Sequence, residues 1–356
     1  MRKILYIVIS FATIFIVSCT KYTSYPTPQD SQRSYIFFEP SVNDVVDSKA
    51  NLVTGQVLPK EKNTALGVLG YYNGTSLFNA SYSKDVEKVY RPEDNDPFTY
   101  QNMIFWRDMS ADHHFFAFYP YSNKIDGTPF TVVANNGNPY VVYSQPTAND
   151  ASMVDFMTAY TSTPKCPYVD LKFFHRLWAL DVAVTNAQTH GLNNEDQITT
   201  EPTLTIKSVS VIVNDFPEGA NFYIDRANTP SKELSTTLID FTYTVNAIAE
   251  NGDILANSGE TTTKKYGPLT FLPVPAETFR YSLRIVYLDS RGGEATFTTA
   301  AKTVTQAFEE GKRYVLTVNK TNDTFIIGTY EDPDGESGND FVAGEWHEVD
   351  VNHTFN

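Results

Sequence analysis

The sequence predicts an all-β protein of two tandem β-sandwich domains, on three observations. Aromatic residues are abundant, with 22 Tyr and 24 Phe among 356 residues, and aromatics favour pleated sheets. Apolar residues recur in short β-branched or alternating runs between clusters of Gly, Pro, Asn and Asp, the spacing of a sandwich. Helix-favouring stretches are scarce.

The chain opens with Arg2 and Lys3, then an apolar run at residues 4–17 broken only by Ser10 and Thr13. That run is shorter than the ~20 residues a membrane-spanning helix needs, so residues 1–18 read as a signal peptide. It ends in Ile16-Val17-Ser18-Cys19, which resembles the lipobox of bacterial lipoproteins, with Ile16 where leucine is commoner. The resemblance implies cleavage before Cys19 and acyl chains on that residue, a two-chain anchor that holds a protein on a bilayer. An ordinary signal peptide cut nearby and an uncleaved anchor helix are the alternatives. Residues 20–33 are rich in Ser, Thr, Pro and Gln, so residues 19–33 read as a flexible tether.

Only one other cysteine, Cys166, is present. With Cys19 lipidated no intramolecular disulfide forms, and stability has to come from core burial. About 335 mature residues exceed one typical domain and suggest two. The formal charge is −15, and loss of residues 1–18 removes two cations and no acid, taking it to −17. A surface this acidic repels phosphate backbones and anionic headgroups, so no nucleic-acid partner is expected.

The first predicted strand is residues 34–39, stopped by Pro40; residues 114–121 and 140–143 follow. From 169 to 173 the odd positions are apolar, whereas from 178 to 184 the even positions are. A strand keeps one face unless interrupted, so a bulge or bend is expected near residues 174–177. His175 lies in that break and reads as a core histidine satisfied by backbone. A polar stretch at 186–203 suggests a boundary dividing an N-terminal sandwich, 34–190, from a C-terminal one, 191–356, with 204–213 as its opening strand. In 280–287, Tyr281, Leu283, Ile285 and Tyr287 share a face opposite Arg280, Ser282 and Arg284. Tyr314, Leu316 and Val318 repeat the pattern. Residues 331–340 form an acidic linker. The tail, 341–356, alternates again, with Val349, Val351, His353 and Phe355 on one face. It suits either a donor strand or the last strand of the chain's own sheet.

Signatures of catalysis are absent: no Gly-x-Ser-x-Gly, His-Glu-x-x-His, phosphate-binding Gly-Lys-Ser/Thr or Gly-x-Gly-x-x-Gly occurs. His113 and His114 are adjacent, and strand neighbours point to opposite faces, so they do not chelate one ion simply. Asp332-Pro333-Asp334-Gly335 lacks the further ligands of a calcium loop and reads as a turn. No metal, cofactor or catalytic residue is expected. Trp106, Trp178 and Trp346 are the candidates for stacking on sugars, with the core as their default home.

Four segments in order carry a family resemblance: Leu66-Gly67-Val68-Leu69-Gly70-Tyr71-Tyr72-Asn73-Gly74; Phe115-Phe116-Ala117-Phe118-Tyr119-Pro120; Asp155-Phe156-Met157 with the run from Val169 to Leu177; and Gly311-Lys312-Arg313-Tyr314. Together with the lipobox they resemble the fimbrillin-like lipoproteins of Bacteroidetes, the subunits of lipoprotein-derived pili. The resemblance implies two transthyretin-like sandwiches, other fimbrial subunits as partners, and residence at the cell outer membrane and in a surface-exposed fimbrium. It also implies proteolysis after a basic residue near the first strand, followed by strand complementation, in which an unpaired edge and an apolar groove recruit a neighbour's strand. Arg33 and Lys49 are the processing candidates, with Lys60 and Lys62 as competitors; a cut at Arg33 leaves the first strand attached, whereas one at Lys49 removes it. Host or bacterial surface ligands are further possible partners. The competing reading is a glycan-binding outer-membrane lipoprotein of a polysaccharide-uptake system, marked by coplanar aromatics on one rim. An enzyme ranks third.

Overall fold

The computed structural model describes residues 35–42, 58, 62–77, 86–100, 104–121, 130–133, 138–148, 155–192, 198–199, 202–227, 230–247, 249–256, 262–289, 291–327 and 341–345. Among them every regular element is a strand, in keeping with the predicted class. The strands form four sheets and one short hairpin.

The first sheet runs, edge to edge, Phe38–Val42, Val169–His175, Met157–Thr163, His113–Tyr119, Ala65–Tyr72, Glu87–Tyr90 and Thr99–Tyr100. Its central strands are apolar on both faces because both are covered. In His113–Tyr119, Phe115 and Ala117 enter one core while Phe116 and Phe118 enter the other. Gly67 stands opposite Phe118, whose ring lies where a Cβ on residue 67 would be. Only a glycine lets that ring cross the strand.

Two features differ from expectation. The first strand runs through Pro40, which pairs in parallel with Leu171. The ladder phase explains this. Phe37 O accepts from Val169 N–H at 2.7 Å, so alternate residues bond inward and the Pro40 nitrogen faces away from the ladder at a sheet edge. The phase change at 174–177 is also larger than a bulge. The chain leaves the first sheet at His175 and enters a second at Trp178–Asn186, which lies between Thr262–Phe271 and Lys312–Lys320. A change of sheet resets which side faces a core, and that is why the apolar parity switches.

The third sheet is built on the 15-residue strand Thr203–Pro217, flanked by Leu238–Asn246 and Asp253–Ala256 on one side and Arg280–Leu288 on the other. Tyr281, Leu283 and Ile285 are buried and Arg280 and Arg284 exposed, as the alternation predicts, but Ser282 on the expected wet face is buried too and Tyr287 is only partly buried. Gly219–Tyr223 continues that chain into the fourth sheet, pairing with Tyr140–Ser144. Gln145 ties the fourth sheet to its neighbours. Its amide donates to Tyr243 Oη (2.7 Å) and Thr270 O (3.1 Å) and accepts from Leu272 N–H (2.9 Å). Buried polar groups need such partners.

Two apolar cores result. The larger centres on Trp178, which stacks on Phe271 (4.5 Å) and Phe308 (4.0 Å), meets Tyr314 edge-on and donates Nε1–H to Leu272 O at 2.6 Å. The smaller lies under the other face of the first sheet. It gathers Ile36, Phe38, Val42, Trp106, Phe115 and Phe173, among others.

Candidate functional site

Cys19, Arg33, Lys49, Val349, Val351, His353 and Phe355 lie outside the described residues, as do Lys60 and Trp346. Lys62 occupies an exposed turn, with its ammonium 2.8 Å from Glu93 Oε1 and its backbone N–H donating to Asp94 Oδ1. Phe341–Glu345, the start of the tail, pairs antiparallel with Lys312–Lys320 in the chain's own sheet, Lys312 opposite Glu345 and Leu316 opposite Phe341.

The first strand is the element on which the processing argument turns. Tyr35 bridges to Phe105, and their rings pack 4.8 Å apart. Ile36 N–H donates to Ile104 O at 2.9 Å, and Ile36 O accepts from the Tyr100 hydroxyl at 2.6 Å. Burial pushes the Tyr100 phenol up to about 12, so it remains a donor at neutral pH. Ile36, Phe38 and Val42 are buried in the smaller core, yet Val169–His175 is the only strand ladder that Phe38–Val42 makes among the described residues.

The aromatic candidates sort mostly inward. Trp106 and Trp178 are buried. Phe37 and Tyr168 are each 40 % exposed, but their rings sit 6.0 Å apart and tilted by 48°, which makes no flat platform for a sugar ring. His113 and His114 do point to opposite faces. His113 is fully buried, its Nδ1 3.0 Å from Ala111 O and its Nε2 accepting from Arg107 N–H at 3.1 Å. His114 reaches Tyr160 Oη at 2.9 Å on the other side. His175 is a core histidine, and a carboxylate meets it: Nδ1 lies 2.6 Å from Asp155 Oδ1. Cys166 is half-buried, its thiol 3.0 Å from Tyr168 O.

A charged cluster that sequence reasoning missed sits where the chain changes sheets. Arg176, the residue of the crossing itself, is 0 % exposed. Its guanidinium donates to Thr158 Oγ1 (3.1 Å), Tyr223 O (2.9 Å) and Ser231 O (2.9 Å), lies over the Phe222 ring, and pairs through Nε with Glu310 Oε2 at 3.0 Å. Burial lowers its pKa to about 10 against the opposing pull of Glu310, so it stays charged at neutral pH. The same carboxylate meets Arg226 (3.6 Å) and Lys232 (3.4 Å). Three cations converge on one carboxylate, which acts as an ion-pair hub. Gly311, at φ 70°, turns the chain behind Glu310 and donates N–H to Leu177 O at 2.9 Å. Arg313 then pairs with buried Asp181 at 2.6 Å, and Tyr314 packs on Trp178. The Gly-Lys-Arg-Tyr segment is therefore a structural clamp on the sheet crossing. Beside the hub lies a cavity of about 790 Å³, with Arg226 and Lys232 in its wall.

No curated protein matches the sequence significantly. Solved structures do match in fold. A fimbrial protein from Bacteroides vulgatus superposes with a TM-score of 0.57 at 15 % identity, covering 88 % of this chain and 99 % of that one. A protein assigned to cell adhesion from Bacteroides ovatus gives 0.51 at 16 % identity, covering 83 % and 95 %. At such identities the likeness is one of fold alone. A family model described as fimbrillin-like matches residues 53–331, a span holding the sheet crossing, the larger core and the Gly311 clamp, while Ile36, Phe38 and Val42 of the smaller core precede it, and the chain belongs to that family.

Proposed function

We propose that the chain is a structural or adhesive subunit of a cell-surface fimbria, exported as a lipoprotein through Cys19 and assembled by strand complementation. The observation that carries this reading is the first strand. Phe38–Val42 sits at a sheet edge in a parallel ladder and buries Ile36, Phe38 and Val42, and the chain that joins it to Ala65–Tyr72 contains Lys49, Lys60 and Lys62. Proteolysis after Lys49 detaches it. That uncovers the Val169–His175 edge and an apolar groove, the two features that recruit an extended donor. A cut at Arg33 alone frees the lipid tether and leaves the groove filled. The alternating residues Val349, Val351, His353 and Phe355 are the donor in this reading; because Phe341–Glu345 is paired in the chain's own sheet, release of that strand is what lets the linker at 331–340 supply reach. The division into sandwiches at 34–190 and 191–356 belongs to the same proposal, as do the outer membrane and the fimbrium as the chain's location. No catalytic step is assigned to it.

Among the described residues the aromatics lend the glycan-uptake alternative no support, since Trp106 and Trp178 are core residues and the exposed Phe37–Tyr168 pair is splayed. Trypsin treatment of the purified mature protein, followed by mass and by oligomer size, tests the proposal. A cut between residues 42 and 65 that yields SDS-resistant multimers is the expected outcome. A stable monomer after loss of the first strand rules strand complementation out.

A further inference from the structure

We infer that the cavity beside Glu310 binds an acidic sugar, with the ring carboxylate held by Arg226 and Lys232. The argument begins with charge. On a chain of formal charge −15 an anion is repelled almost everywhere. Here Arg226 and Lys232 share the cavity wall with Glu309 and Glu310, and buried Arg176 pairs with Glu310 from behind, so three cations stand against two carboxylates.

The two outer cations are held in place without being saturated. Arg226 is exposed, its guanidinium lies over the Phe174 ring at 4.6 Å, and its one ion-pair partner among the described residues is Glu310, at 3.6 Å and beyond hydrogen-bond distance. The aromatic ring and the carboxylate fix the orientation of the fork, while its terminal N–H groups keep their capacity for a bidentate carboxylate. Lys232 is partly exposed, and its ammonium makes one long contact, 3.4 Å to Glu310 Oε1, which leaves further donors.

The remaining wall selects the body of the ligand. Pro275 and Ala307 are exposed apolar surface in the same cavity, and Glu309 and Glu310 supply carboxylate acceptors. A sugar acid matches all three: a carboxylate for the guanidinium, hydroxyls for the glutamates and a C–H face for the apolar side. An acidic peptide offers the carboxylate but few hydroxyl donors for Glu309. The recess, about 790 Å³ and open to solvent, accommodates one or two sugar rings. The site is independent of the assembly route, and its failure leaves strand complementation untouched.

Saturation-transfer NMR and calorimetry on the full mature chain test this, with D-glucuronic acid and N-acetylneuraminic acid as probes. The uncharged methyl ester of glucuronic acid and a glutamate-rich peptide serve as comparators. The acids are expected to bind and the ester not to, with affinity falling as salt rises. Arg226→Gln is expected to weaken binding by about tenfold or more, and Arg226→Lys by less, because the charge stays and the fork is lost. Lys232→Gln, whose side chain is outside the apolar cores, provides a second variant; thermal unfolding of each confirms the fold. Absence of binding, equal binding of the ester, or binding unchanged in both Arg226→Gln and Lys232→Gln overturns the inference. Tighter binding of the peptide overturns the sugar assignment.

Discussion

The two apolar cores lie against opposite faces of one sheet, and they are closed in different ways. Around Trp178 the closure is distributed: rings from Phe271, Phe308 and Tyr314 meet it from separate strands and loops, and Gln145 and the Arg176–Glu310 pair tie the surrounding sheets together. Under the first sheet, closure on one side rests on residues 35–42, held among the described residues by one parallel ladder and by the contacts of Tyr35 and Ile36 to Phe105, Ile104 and Tyr100. Similar side chains are buried in both places. What differs is the number of elements that close each core: several separate strands and loops around Trp178, and chiefly one short edge segment on one side of the smaller core.

The largest effect that can break this contrast is expected at Trp178→Ala. Loss of a ring stacked on both faces is expected to destabilise by about 3–5 kcal/mol, read by urea denaturation as a single global transition. Next comes Glu310→Gln. It leaves Arg176 charged and buried without its counter-ion, a change expected to cost about 3 kcal/mol. Phe38→Ala is expected to cost about 2–3 kcal/mol, less than the usual range for a core ring because an edge strand shifts to refill the space. Hydrogen exchange distinguishes it from the first two: protection is lost in Val169–His175 and kept around Trp178. Equal loss in both cores would remove the distinction drawn here.

A smaller, pH-dependent effect sharpens the same contrast from within the minor core. Burial holds the His113 pKa below its ordinary 6.5, and the ring is bonded as the neutral form, with Nε2 accepting from Arg107 N–H. As pH falls through 6.5 the unfolded chain takes up a proton that the folded chain resists, so stability is full above that value and declines below it. Denaturation midpoints are expected to drop on acidification, and His113→Gln is expected to flatten that part of the slope. The smallest effect belongs to Lys62→Ala. Its pair with Glu93 is solvent-exposed, and no measurable change in stability is expected.

Much of the fold was legible because alternation is a local property. Tyr314, Leu316 and Val318 in Lys312–Lys320 are buried as assigned, and in Arg280–Leu288 only Ser282, buried on the expected wet face, and Tyr287, partly buried, depart from the alternation. At residues 174–177 the parity switch was visible, but a bulge and a change of sheet leave the same mark on a one-dimensional pattern. Pro40 misled because its effect depends on which way the nitrogen faces, and that is set by a partner strand 131 positions away at Leu171. The ion-pair hub was illegible for a similar reason. Arg176, Arg226, Lys232 and Glu310 come from distant stretches of the chain, and no spacing rule joins them.

The strand Thr203–Pro217 has a consequence of a mechanical kind. At about 3.3 Å per residue it runs some 50 Å, and it is hydrogen-bonded on both flanks over much of that length. Tension applied along it loads those bonds together in shear, instead of opening them one after another as peeling does. A subunit strung into a filament and pulled by flow is then stiffest along this rod, and it yields first where a strand is held from one side only.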